Sequence, residues 1–341
     1  MAKRKRTAID LFSGCGGLTQ GLKQAGFRVL AAVEIDGTAA STYRMNHPHV
    51  HLINDDIKTV DAGLLRKRLE LRCGELDLVA ACPPCQGFST LTTKNGARRV
   101  VDERNALIFD VLTFVARFRP RAVMLENVPK LADKQEFRSF VRSLKRYGYT
   151  SDFRILNAAK FGVPQRRRRL ILVAFRDHKV TFAREDAIEV SVRTAIGDLP
   201  HPRKSKDLLH RDRKSYSTET KARIRGIPLD GGNRFDLPPQ QRLECHDNTD
   251  GFRDVYGRMW WDKVSPTITS GCINPSKGRF LHPGQHRPIT LREAALLQTF
   301  PQGYEFDLSR GRYAVAEMIG NALPPEFIRR HAEAIRDILD E

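Results

Sequence analysis

Two cysteines stand three residues apart in 81-ACPPCQGFST-90, and both positions between them are proline. Three chemistries could use them. A zinc site needs further Cys or His ligands, but 245-CH-246 and the isolated Cys15, Cys73 and Cys272 form no partner pair at ligand spacing. A redox dithiol of the Cys-x-x-Cys type opens a helix directly. Here the polar, glycine-containing 86-QGFSTLTTKNGARRVVDE-103 follows instead and reads as a loop. The third reading needs one thiol. Prolines 83 and 84 stiffen the approach and fix the direction of Cys85. That residue attacks as its thiolate once its ordinary pKa of ~8.5 is overcome. Cys82, at a strand end, is then expected to pack as a small apolar residue.

A nucleophile of this kind needs an acid close by, and 122-AVMLENVPK-130 supplies Glu126 after four apolar residues. Upstream, 10-DLFSGCGGLTQG-21 carries glycines at 14, 16 and 17, where a backbone can turn tightly beside a ligand. The turn lacks the Lys-Ser/Thr of a phosphate-binding P-loop and fits a dinucleotide fingerprint only loosely. The next apolar run ends in 33-VEID-36, and an acid there commonly accepts ribose hydroxyls. Strand, glycine turn, helix, strand and acid together indicate a nucleoside cofactor. Further on, 164-PQRRRRL-170 concentrates four arginines, for which phosphate contact is the simplest use.

These residues must be positioned by elements, and the apolar runs show which. Strands are expected at Ala8–Phe12, Val29–Glu34, Leu76–Ala81, Ala122–Glu126 and Leu170–Phe175. Amphipathic stretches at 16–27 and 104–118 alternate with them, the rhythm of an α/β fold with a parallel sheet and helices on both faces. Cys85 and Glu126 then follow the carboxyl ends of strands, where such sheets place their active sites. The rhythm stops near Arg176 and resumes with helical patterns at 290–300 and 324–339. Between them, 201-HPRKSKDLLHRDRKSYSTETKARIR-225 has nine Lys or Arg against three acidic residues. A solvated surface and a phosphate-contacting one both fit it. The formal net charge of +18 over 341 residues favours a polyanionic partner. No apolar run is long enough to span a bilayer, and the start MAKRKRTAID lacks the apolar centre of a signal peptide. Six cysteines in so long a chain suit a reducing cytosol rather than a disulfide scaffold. The expected location is cytoplasmic, with no membrane partner.

In order, the motifs DLFSGCGG, PPCQGFS, ENV, QRRRR and GNALPP resemble those of the bacterial type of DNA (cytosine-5)-methyltransferase, across the chain except its middle. The resemblance implies a Rossmann-like, mostly parallel sheet in a catalytic and cofactor-binding domain, 1–180 completed by 312–341. A smaller, irregular target-recognition domain and hinge would occupy 181–311. It implies S-adenosylmethionine as cofactor, leaving as S-adenosylhomocysteine. Phe12, Gly14, Gly16, Gly17, Glu34, Ile35, Asp56, Ile57, Pro84, Leu107 and Asn321 would form its site, with Glu34 on the ribose and Phe12 against the adenine. Ile35 departs from the family, where an aromatic side chain is frequent. Cys85 would attack C6 of cytosine and Glu126 would hold the N3/N4 edge. Arg169 would contact O2, with Gln165 and Arg167 supporting it. Gln86, Ser89 and Thr267 would contact DNA.

The resemblance further implies double-stranded DNA as substrate, a target base flipped out of the helix, and a monomer. A restriction endonuclease acting on the same site, without binding this chain, would be its companion in a restriction-modification system. In a bacterium the protein would sit at the nucleoid. Two alternatives remain open: an RNA methyltransferase sharing the catalytic core, whose Cys-Phe-Thr signature is absent here, and a DNA-binding regulator without activity.

Overall fold

The computed structural model describes residues 4–84, 107–211, 215–243 and 253–341. Seven strands form one sheet: β1 Thr7–Leu11, β2 Arg28–Val33, β3 His51–Ile53, β4 Leu78–Ala81, β5 Ala122–Asn127, β6 Thr150–Asn157 and β7 Arg168–Phe175, in the order β3-β2-β1-β4-β5-β7-β6. The five expected strands are present, and β3 and β6 are additional. β3 is three residues long and β6 is largely exposed, so neither carries a continuous apolar run.

Pairing is parallel from β3 through β5. It is antiparallel where β7 meets β5 and β6, so the sheet is mostly parallel, as expected, with one antiparallel edge. The helix α5 Gln135–Arg146 carries the chain from β5 to β6. Only residues 158–167 then separate β6 from β7, so the chain reverses and β7 returns between them.

Alternation along the strands explains the two covered faces. Ile9, Leu11, Val79, Ala81, Val123 and Leu125 share one buried cluster with residues of α3 Ala62–Arg68, α4 Leu107–Phe118 and α5. The intervening residues Ala8, Asp10, Leu78, Ala80 and Met124 are equally buried on the other face. There α1 Gly17–Gln24 packs against α10 Pro325–Asp340; a Cβ on Gly21 would overlap Pro325 O and the Ile328 side chain. Asp77 locks the bottom of the sheet, accepting from Thr7 N at 2.8 Å and pairing with Arg6 at 3.1 Å. Arg6 also pairs with Asp340 at 2.8 Å, joining β1 to the last helix. Of the remaining helices in this part, α2 Gly37–Asn46 is capped by the Asp36 side chain on Thr38 N and Ala39 N.

Two compact units result, 1–158 with 168–185 and 325–341, and 159–167 with 186–324. Helix α9 Gly311–Asn321 therefore groups with the second unit, although the sequence placed 312–341 with the first. Among its described residues the second unit has only isolated bridges and short helices, including α6 Val192–Ile196, α7 Thr218–Gly226 and α8 Leu291–Leu297. Its interior is organised by a cation. Arg258 is fully buried and donates to the carbonyls of Pro228, His282, Gln285, Ile224 and Ile227 at 2.5–3.2 Å. Around it lie Ile224, Ile227, Leu237, Val255, Tyr256 and Leu281. Lys263 and Arg279 place their charges 4.4 and 4.3 Å from the ring centroid of Trp260. His246 lies outside the described residues.

Candidate active site

Phe12, Ser13 and the glycines follow β1 in a turn that needs left-handed backbone. Gly14 and Gly16 have φ of +55° and +95°, and Phe12 itself lies at +63°, a conformation costly for a side chain with a Cβ. The Glu34 carboxylate fastens this turn, accepting from Gly14 N at 2.7 Å and Asp36 N at 2.8 Å. Burial pushes the Glu34 carboxyl above its ordinary range, against those hydrogen bonds. Asn54 ties the same strand end down by donating to Glu34 O and Ile35 O. Ile35 is 65% exposed, a large apolar side chain directly beside the acid.

Asp56 accepts from Lys58 N at 3.0 Å, and Ile57 beside it is buried in the core. Leu107 opens α4 and packs on that core, and Pro84 is exposed. Beneath the turn, Thr19 donates to Asp10 Oδ2 at 2.6 Å, and Asp10 Oδ1 is buried without a hydrogen-bond partner. Burial raises the Asp10 carboxyl to about 7.

A second group lies across the ends of β4, β5 and β7. Parallel register sets Ala81 beside Leu125, so Cys82 comes beside Glu126. Antiparallel register sets Glu126 opposite Ile171, so Arg169, two residues away on the same face, reaches it diagonally. Glu126 is 3% exposed. Cys82 Sγ donates to its Oε2 at 2.9 Å, and Arg169 Nε lies 2.8 Å from its Oε1. That ion pair is not aligned as a hydrogen bond, and Oε1 is left without one. Cys82 is thus not the purely apolar packing residue expected of it. Cys85, Gln86 and Ser89 lie outside the described residues.

The arginine run divides between the two units. Gln165 is fully buried, donates to Gln298 Oε1 at 2.9 Å and accepts from Ile268 N at 2.9 Å. Arg167, also buried, donates to Ile268 O and Gly320 O at 3.1 Å each. Both side chains are spent on protein groups, so they position the loop. Thr267 Oγ1 donates to Arg166 O at 2.6 Å. Asn321 is exposed at the end of α9.

Sequence reasoning missed Gln298. Its amide also donates to Ile319 O at 2.5 Å, linking α8, α9 and the arginine run inside the second unit. The only signal was a polar residue on the apolar side of 290-TLREAALLQTF-300. Among the described cysteines, Cys15 and Cys272 are buried, and burial pushes their thiols up to about 12, so neither is a ready nucleophile.

The geometry offers a turn beside an acid and an apolar surface, which fits a nucleoside, and a buried carboxylate with one oxygen ready to accept. The "Type II methylase M.HgiDII" of Herpetosiphon aurantiacus is 33% identical over 355 aligned positions, covering 97% of this chain and 95% of that protein. The "Type II methyltransferase M1.BsuMI" of Bacillus subtilis (strain 168) is 35% identical, covering 92% of this chain and 77% of its own length. In fold, the chain is similar to a prophage-encoded E. coli protein described as a DNA modification methyltransferase, with TM-score 0.77, 22% identity and coverage of 98% and 100%. The model of the "C-5 cytosine-specific DNA methylase" family matches residues 6–337, and the chain belongs to that family of DNA (cytosine-5)-methyltransferases.

Proposed function

We propose that this chain methylates C5 of a cytosine flipped out of duplex DNA, with Cys85 as nucleophile and Glu126 as the residue that reads and activates the base. The observation that carries this reading is the buried Glu126 with Oε1 free of hydrogen bonds beside the Arg169 charge. Cytosine C5 is a poor nucleophile by itself. Addition of the Cys85 thiolate to C6 makes C5 electron-rich, while Glu126 accepts from the N4 amine and supports protonation at N3. Arg169 meets O2. S-adenosylmethionine supplies, when bound, a methyl group on a positively charged sulfur and leaves as S-adenosylhomocysteine. Phe12, the glycine turn, Glu34 and Ile35 would hold its nucleoside part, with Pro84, Asp56, Ile57 and Leu107 lining the site and Asn321 at the methionine end. After methylation C5 loses its proton, the C6–S bond breaks, and Cys85 departs as thiolate.

Residues 186–324 would recognise the target sequence through the basic stretch and Thr267, while Gln86 and Ser89 flank the base. The relatives' names support pairing with a restriction endonuclease of the same site. No helix among the described residues is long and apolar enough to cross a membrane.

The test is methyl transfer from labelled S-adenosylmethionine to unmethylated plasmid DNA and, separately, to tRNA. Nucleoside analysis should find 5-methylcytosine in the plasmid only, and Cys85→Ser should abolish it. Label in tRNA alone, or 5-methylcytosine formed by Cys85→Ser, would sink the reading.

A further inference from the structure

The thiol of Cys82 touches the carboxylate on which the proposed chemistry depends, and its placement is fixed from two sides. Its backbone N–H extends the β1–β4 ladder to Leu11 O at 3.2 Å. Asn127, next to Glu126, donates from its side chain to Pro83 O at 3.1 Å and pins the following residue against β5. Sγ therefore reaches Glu126 Oε2 at 2.9 Å from a backbone held on both sides.

A glutamate's last torsion is soft and roughly two-fold, so backbone placement alone leaves the carboxylate plane undefined. Arg169 holds one side by charge, its Nε 2.8 Å from Oε1 without the alignment of a hydrogen bond. The thiol hydrogen bond to Oε2 adds the directional contact that fixes the plane. With Oε2 occupied, Oε1 is the oxygen left to accept from a base.

We propose that Cys82 is a positioning residue for methyl transfer: its thiol orients Glu126 so that Oε1 faces the amino edge of the flipped cytosine. This rests on the reading of Glu126 as the base-contacting acid. It also gives the first cysteine of 82-CPPC-85 a role in the same step as the second, without a disulfide or a metal.

The experiment compares Cys82→Ala, Cys82→Ser, Glu126→Gln and the Cys82→Ala/Glu126→Gln double variant in the full chain. Turnover and KM for duplex DNA, DNA affinity and Tm are measured for each. Loss of a hydrogen bond to a charged group sets a scale of roughly tenfold, so kcat of Cys82→Ala should fall about that far. DNA affinity and Tm should stay near wild type. Serine keeps a donor and should recover most of kcat. In the Glu126→Gln background, Cys82→Ala should add little further loss.

Wild-type turnover in Cys82→Ala would overturn the proposal. So would a serine variant as slow as alanine, or losses that multiply in the double variant. If Glu126→Gln itself turns over normally, the underlying reading of Glu126 fails with it, an outcome separable from failure of Cys82 alone.

Discussion

Glu34 and Ile35 are adjacent in sequence yet meet solvent in opposite ways. The carboxylate turns inward onto Gly14 N and Asp36 N, while Ile35 stands 65% exposed at the strand end. An apolar side chain so exposed, beside an acid that suits a ribose, is well placed to cover the face of a base. Aliphatic contact there lacks the stacking energy of an aromatic ring, roughly 0.5–1.5 kcal/mol beyond area burial. Ile35→Trp should therefore lower the Kd for S-adenosylmethionine several-fold, measured by calorimetry, with Tm unchanged in its absence. An unchanged or weaker Kd would remove Ile35 from the adenine contact. At this scale the sequence was informative about residue types: acids, glycines and thiol were all legible. Which atom each side chain engages was not, because Cys82 and Glu126 are 44 residues apart in the chain and meet only through strand register.

Most elements of the first unit follow from apolar runs and helical spacing, since its central strands β1, β4 and β5 bury both faces. The second unit has no such regularity, and one side chain replaces the missing sheet. Arg258 gathers five carbonyls, from the last turn of α7 and the residues after it (224–228) and from 282–285. Burial lowers its guanidinium to about 10, so it remains charged near neutrality. Arg258→Met keeps the apolar stem and strands the carbonyls, at roughly 1–3 kcal/mol for each that water cannot reach. Stability should fall by more than about 3 kcal/mol in urea denaturation, with early proteolysis within 186–324. A loss under about 1 kcal/mol would mean that water can take over the hub. Close approach matters as well: a Cβ on Gly320 would overlap the backbone of Thr269 and Ser270, so α9 can lie against that segment only with glycine there.

Over the whole molecule, buried titratable groups set the response to acid. Burial holds His47 and His282 down to about 4 and His331 to about 3. The unfolded chain protonates these residues below about 6.5 while the fold keeps them neutral, so stability falls as pH drops from there toward 4. Asp10, raised to about 7, acts oppositely, because the fold retains a proton that the unfolded chain releases above about 4. The raised Glu34 carboxyl acts in the same sense as Asp10. His51 and His201 are lowered as well and Asp110 is raised, so five histidines outweigh three carboxyls and net stability should decline on acidification from pH 6.5 to 4.5. His331 packs edge-on against Phe327, ring centroids 4.8 Å apart, and His331→Leu should reduce that slope by about one proton, roughly 1.4 kcal/mol per pH unit. Urea midpoints across this range measure it; an unaltered slope would show that His331 does not stay neutral in the fold.

The order of short motifs along the chain determined the family and the chemistry, because thiol, acid, glycine turn and arginine run each have a use that depends on residue type. Five strands and the helices at 17–24, 107–118, 291–297 and 325–340 were legible because their apolar spacing is local. Tertiary structure alone decided that β7 runs antiparallel, a direction no residue in 168–175 encodes by itself. That reversal brings Arg169 to Glu126, while Gln165 and Arg167 are buried in the other unit. Arg258 as a hub and Gln298 as a clasp were invisible for the same reason. Apart from the Gln165 side chain, their partners are backbone carbonyls, which every residue carries, and only folding says which of them are close.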